Sequence, residues 1–167
     1  MKIVGLRALV AALGAAAIAG AAPAVADGTH GGSEAPKFTF GSPGKARDVT
    51  RTVVVSASDM AFHIEALSIA EGETIRFVVR NEDDVDHDFT IGPPALQARH
   101  RAEMMKMMEN GGAMANMHHD ANAVYLKPGE TRELIWTFRD VAGLEYACNV
   151  PGHYESGMHG RFRVNLR

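Results

Sequence analysis

The sequence predicts an all-β fold: a Greek-key antiparallel β-sandwich carrying one short helical, methionine-rich insertion. Three observations lead there. Several short runs alternate apolar and polar residues, the period-two signature of strands with one buried face. Turn-forming residues separate those runs. One stretch alone breaks the pattern, with strong helix formers and no β-branched residue.

Taken in chain order, the first element is a leader. Lys2 and Arg7 precede a small-residue apolar run over 8–22, and Ala24-Val25-Ala26 has the A-x-A form of a cleavage site. Residues 1–26 are therefore expected to be a signal peptide. Pro23 and the Ala- and Gly-rich composition speak against a retained anchor, so no membrane span is expected after cleavage. Residues 27–48 are rich in Gly, Ser and Pro and show no sustained periodicity, which predicts a flexible N-terminal arm. The remainder, 49–167, is of a length to form one domain with its own core.

Within that domain, residues 52–57 are β-branched and apolar. Ile75, Phe77 and Val79 alternate with Arg76 and Arg80, and Leu134, Trp136 and Phe138 alternate similarly. Phe162, Val164 and Leu166 are interleaved with Arg161, Arg163, Asn165 and Arg167. Glu71-Gly72-Glu73 and Lys127-Pro128-Gly129-Glu130 read as turns. Seven or eight such strands suggest a sandwich with Greek-key connections. The insertion spans about 93–121 in the chain numbering. Its first part, 94–110, reads as helix stopped by Asn110-Gly111-Gly112, and 114–120 follows as loop.

Charge narrows the function classes. The leader holds two of the 17 basic residues and none of the 20 acidic ones, which leaves the rest at net −5. A nucleic-acid binder would normally show a basic patch. Export implies an oxidising compartment, and the leader's form suggests the bacterial periplasm. There, a lone cysteine needs a reason not to be oxidised or mispaired.

Cys148 is that cysteine. His153 follows it by five residues and Met158 follows His153 by five more. A strand ending at Cys148 can enter a tight turn at Pro151-Gly152, which returns His153 towards the sulfur. His87, just after a strand-like run and the acidic turn 81–86, fits the place of a fourth ligand on a neighbouring strand. One thiolate, two imidazoles and one thioether are the ligand set of a mononuclear copper site cycling between Cu(I) and Cu(II). Thiolate and thioether suit Cu(I), and imidazole suits both states. Other readings exist for these residues. A lone Cys is often a buried, inert hydrophobe, or it can dimerise a secreted chain. Zinc takes Cys and His, but a structural zinc site usually adds a fourth Cys or His, and Met serves it poorly.

In Asn81, His87, Cys148, Pro151, Gly152, His153, Gly157 and Met158 the chain resembles the cupredoxins, the blue type 1 copper proteins. The ligand loop is most like that of rusticyanin. Overall the chain is similar to periplasmic cupredoxins linked to copper resistance. Carried over residue by residue, the resemblance makes His87, Cys148 and His153 the equatorial copper ligands and Met158 the axial one. It also implies a rigid sandwich that holds one ligand arrangement for both oxidation states, with the exposed edge of His153 as electron port.

The insertion supports a second candidate. Six of the nine methionines lie in 104–117. On a helix His100, Met104, Met107 and Met108 share one face, and Met117, His118 and His119 follow. Thioether and imidazole on one face can bind an additional Cu(I). The same stripe is also what an apolar packing face made of gap-filling methionines looks like. Two functions are consistent with these features: copper homeostasis or tolerance in the periplasm, and one-electron transfer between periplasmic redox partners. The methionine-rich insertion favours the first, since a plain carrier has no need of it. In either case the expected partners are copper ions and a periplasmic redox or copper-transfer protein. An enzyme is not expected: the His-x-His and His-Cys-His motifs that supply further copper sites in multicopper oxidases are absent.

Overall fold

Alternation decides the faces of the longer strands in the computed structural model, which describes residues 38–65, 67–111 and 120–165. Strands β1 (Gly41–Pro43), β2 (Arg51–Ser58), β3 (Ala61–His63), β5 (Thr74–Asn81) and β8 (Thr131–Phe138) form one sheet in the order β1-β8-β5-β2-β3. Between them in sequence lies β4 (Ser68–Ile69). A second sheet, in the order β10-β9-β6-β7, is built from β6 (His87–Gly92), β7 (Ala123–Leu126), β9 (Glu145–Ala147) and β10 (His159–Arg161). Finally β11 (Arg163–Val164) pairs with β4.

Ile75, Phe77 and Val79 of β5 and Leu134, Trp136 and Phe138 of β8 point inward. They meet Phe89 and Ile91 of β6 and Leu126 of β7 in one core cluster. Phe77 and Phe89 bridge the two sheets, with ring centroids 5.5 Å apart. Burying each such side chain contributes roughly 1.5–3 kcal/mol. This is the expected all-β sandwich.

Strand β6 is buried along its whole length, and α1 (Pro94–Glu109) explains why. Phe89 and Ile91 face the core. Asp88 and Thr90 face the opposite way and are covered by the helix, whose Gln97 donates to the Thr90 carbonyl at 3.0 Å. The helix starts with proline in its first turn, where a missing N–H costs nothing. It ends at Asn110, with Gly111 at positive φ beyond.

Three expectations need correction. The arm expected over 27–48 joins the first sheet at 41–43, where β1 pairs with β8, and Phe38 and Phe40 pack on Trp136; residues 27–37 lie outside the described residues. Low complexity hid two aromatic anchors. The first sheet is not wholly antiparallel, because β2 pairs with β5 in parallel. The chain between them returns to the same end of the sheet through β3 and β4, which parallel pairing requires. At the C-terminus Phe162 is buried but Val164 is exposed, because the chain leaves β9 for β4 at that point. The expected leader lies outside the described residues. Among the described residues no helix is long and apolar enough to cross a membrane.

Candidate metal centre

The ligand loop is shaped by its own turn residues. The chain leaves β9 at Cys148, and the His153 amide donates to the Val150 carbonyl at 2.9 Å, with Gly152 at φ 88°. Proline then glycine at the two central positions is the signature of a type II turn. A second turn follows, Gly157 N–H to Tyr154 O at 2.9 Å, with Gly157 at φ 100°. The loop closes on itself, since the Met158 amide donates to the His153 carbonyl and the Cys148 amide to the Met158 carbonyl. Two five-residue steps thereby bring Cys148, His153 and Met158 to one place.

His87 enters from β6. Asn81 shapes the turn before it, donating to the Val85 and Leu126 carbonyls and accepting the Asp83 amide. Asp83 then accepts a hydrogen bond from His87 Nε2 at 2.9 Å. A carboxylate can only accept, so the proton sits on Nε2 and the Nδ1 lone pair faces inward. This carboxylate–imidazole pairing is the usual support of a metal-binding histidine.

The donor atoms form a small triangle. His87 Nδ1 lies 3.2 Å from His153 Nδ1 and 3.8 Å from Cys148 Sγ, and His153 Nδ1 lies 3.3 Å from Sγ. Metal–nitrogen and metal–sulfur bonds of about 2.0 and 2.3 Å in a trigonal plane give edges of about 3.5 and 3.7 Å. The residues therefore fit a single metal ion. Among the described residues they are the one cluster of three or more His, Cys, Asp or Glu so arranged. Met158 is fully buried and packs in the cluster that contains Cys148, Met104, Tyr125 and Val150. His87, Cys148 and Met158 are 0% exposed and His153 is 8%, so His153 is the ligand candidate nearest solvent.

Electrostatics favour a cation here. Burial pushes the Cys148 thiol well above its ordinary value, and the Asp88 charge adds to it; a bound metal ion is what would stabilise the thiolate. Burial and the neighbouring His87 lower the His153 pKa, keeping that ring neutral and its lone pair free. Burial opposes ionisation of Asp83, but the hydrogen bonds from His87 and the Asp59 amide lower its pKa from the ordinary carboxylate value.

Only part of the second candidate site falls on described residues. His100 and Met104 are buried, Met107 is half-buried and Met108 is 49% exposed, because the end of α1 runs off the body of the domain. Met104 packs against Cys148, Met158 and Tyr125. His100 lies between two carboxylates, Nε2 3.2 Å from Asp88 and Nδ1 3.5 Å from Asp120. Both distances are those of ion pairs, without hydrogen-bond alignment. With each ring nitrogen facing a carboxylate, His100 does not offer a lone pair to the methionine face. Met117, His118 and His119 lie outside the described residues.

Sequence reasoning missed three supporting residues, Asp83, Asp86 and Asp88, and gave His100 a different role. Asp83 and Asp86 looked like members of a solvated acidic turn, yet Asp83 holds His87 and Asp86 accepts the Tyr125 hydroxyl. Asp88 is fully buried beside Cys148, and His100 faces it. Asp83 could have been found by its spacing, four residues before His87. The others depend on which strands and helix meet.

A family model of copper-binding proteins, the plastocyanin/azurin family, matches residues 49–165. The chain belongs to that family. The chain is similar to the protein named copper-resistant cuproprotein CopI of Pseudomonas aeruginosa, 37% identical over 148 residues, covering 75% of this chain and 82% of that one. The CopI of Rubrivivax gelatinosus is 38% identical over 127 residues, 75% of this chain and 73% of the relative. Among solved structures, auracyanin A of Chloroflexus aurantiacus, a "blue" copper protein, has TM-score 0.55 at 25% identity, covering 68% of this chain and 98% of that one. Copper is thus the cofactor of this cupredoxin, and the cluster of His87, Cys148, His153 and Met158 has the composition of a type 1 site.

Proposed function

We propose that His87, Cys148 and His153 hold copper in a trigonal plane with Met158 as axial ligand, and that the protein uses this centre for copper tolerance in the periplasm. The observation that carries the reading is the triangle of donor atoms at 3.2, 3.3 and 3.8 Å, one edge buried under β6 and one near the surface. Copper supplies a Cu(I)/Cu(II) one-electron couple when bound. The chain supplies everything else. The loop closure between Cys148 and Met158 and the Asp83–His87 pair fix the donors before metal arrives. Soft sulfur donors at Cys148 and Met158 retain the reduced ion, while the imidazoles accept both states. The site acts on copper itself, and no substrate is turned over. The relatives' name supports a role in copper resistance, and the leader-like sequence over 1–26 supports export to the periplasm.

One observation favours a second reading, a one-electron carrier. His153 is the least buried of the four candidate donors, so an electron has its shortest path out through that ring.

The test uses the purified protein and cells lacking the gene. The parent is expected to take up one copper at the cluster and to show intense visible absorption from thiolate-to-Cu(II) charge transfer. Cys148→Ser should lose that band and should fail to restore growth on copper. A variant that keeps the band refutes the ligand assignment. Restored growth by Cys148→Ser refutes tolerance through this site and moves electron transfer ahead.

A further inference from the structure

Helix α1 presents one face to the copper centre. Gln97, His100, Arg101 and Met104 recur at helical spacing and so share that face. Each touches the strand or loop that carries the ligand residues. Gln97 accepts from Asn149 Nδ2 at 2.7 Å. The Arg101 guanidinium lies 3.7 Å above the Tyr154 ring and donates to Asn149 Oδ1 at 3.4 Å. Met104 packs beside Cys148 and Met158.

His100 is placed at the most sensitive point. It is 2% exposed and faces Asp88, which is fully buried. Asp88 follows His87 in β6, and its amide donates to Cys148 Sγ at 3.4 Å. Its carboxylate accepts the Asn149 amide and, at 2.7 Å, the Thr90 hydroxyl. One residue thus ties the strand of one ligand candidate to the loop of the others. A buried carboxylate needs a compensating partner. Among the described residues, His100 is the cationic group within ion-pair distance of it.

We propose that His100 is a positioning residue for the copper centre: by anchoring Asp88 it fixes the backbone amide that donates to the Cys148 sulfur, and so sets the copper–thiolate bond and the reduction potential. The proposal rests on Cys148 being a copper ligand. Hydrogen bonds around a ligating sulfur tune potential, and an amide that donates to the thiolate withdraws its charge and favours Cu(I). The helical insertion, by this account, is a brace for the outer surroundings of the metal.

The experiment compares three substitutions at position 100 in the copper-loaded full chain. His100→Leu cannot pair with Asp88. It is expected to bind one copper, to shift the charge-transfer band and to have a lower potential. His100→Gln can still donate to Asp88 and is expected to return the band to the parental position. In an Asp88→Asn background His100→Leu is expected to add no further shift. A parental band and potential in His100→Leu overturn the proposal, as does a shift of undiminished size in the Asp88→Asn background. Should His100→Leu fail to fold, His100→Asn takes its place: its side chain stops short of Asp88, and the same shifts are expected and the same unchanged values overturn. Failure of the ligand assignment looks different, because the parent itself would then lack the band or Cys148→Ser would keep it.

Discussion

At the residue scale the proposed centre combines candidate donors of different softness and strength. Cys148 and the two imidazoles form the tight triangle, and Met158 is a buried thioether beside them. A thioether is a weak, long ligand whose identity adjusts potential more than affinity. Met158→Gln is therefore expected to retain copper and to lower the potential, as read by redox titration of the visible band. His100 gives a pH prediction for the metal-free protein. Burial lowers its pKa, but the close contact and charge of Asp88, with the charges of Asp120 and Glu103, raise it above the ordinary 6.5. A raised folded-state value means that stability from His100 is fully present below about pH 6.5 and is lost as pH rises through the folded-state value. His153, held low by burial and His87, slopes the opposite way. Denaturant unfolding of parent and His100→Gln across pH 5.5–8.5, on the order of the His titration range, isolates the first: the parent's advantage should shrink as pH rises.

At the element scale the ligand loop depends on two glycines in backbone conformations that other residues adopt only with strain. Gly152 sits at φ 88°, and a Cβ there would meet nothing within 4 Å. Alanine would therefore cost only backbone strain, about 1 kcal/mol or somewhat more. Gly152→Ala is expected to lower unfolding free energy by that amount. Because His153 follows directly, it is also expected to broaden the charge-transfer band. Helix α1 is the other decisive element. Its sequence announced a helix, and its methionines suggested a ligand face. The fold uses Gln97, His100, Arg101 and Met104 against the centre instead and leaves Met105 and Met108 exposed.

At the scale of the whole molecule, one large apolar cluster joins the two sheets, and the segment before β2 completes it. Phe40 is 4% exposed, and its ring centroid lies 5.5 Å from that of Trp136. Phe40→Ala should cost about 3 kcal/mol, in the range for a large aromatic truncated in a core. Equilibrium unfolding measures it directly, and a loss under about 0.5 kcal/mol, the scale of an ordinary surface change, would mean that the segment contributes no packing. Copper adds a further, concentration-dependent term, since a ligand bound only by the folded state raises stability by mass action.

The sequence alone determined what repeats locally. Alternation marked β2, β5 and β8, because a strand with one buried face needs apolar residues at every second position. The five-and-five spacing of Cys148, His153 and Met158 marked a loop that brings the three together, because proline and glycine at a turn and a short chain leave few ways to arrange it. Tertiary structure decided whatever depends on which elements meet. Phe38-Thr39-Phe40 is an alternation too short to mark a strand, so only the pairing of β1 with β8 shows these rings packing on the core. Asp88 and His100 are 12 residues apart in the numbering and lie on different elements. In the sequence Asp88 is an ordinary polar residue, and His100 reads as a candidate ligand on a methionine face. They become a buried ion pair because α1 covers the outer face of β6, and burial there makes each the compensating charge of the other.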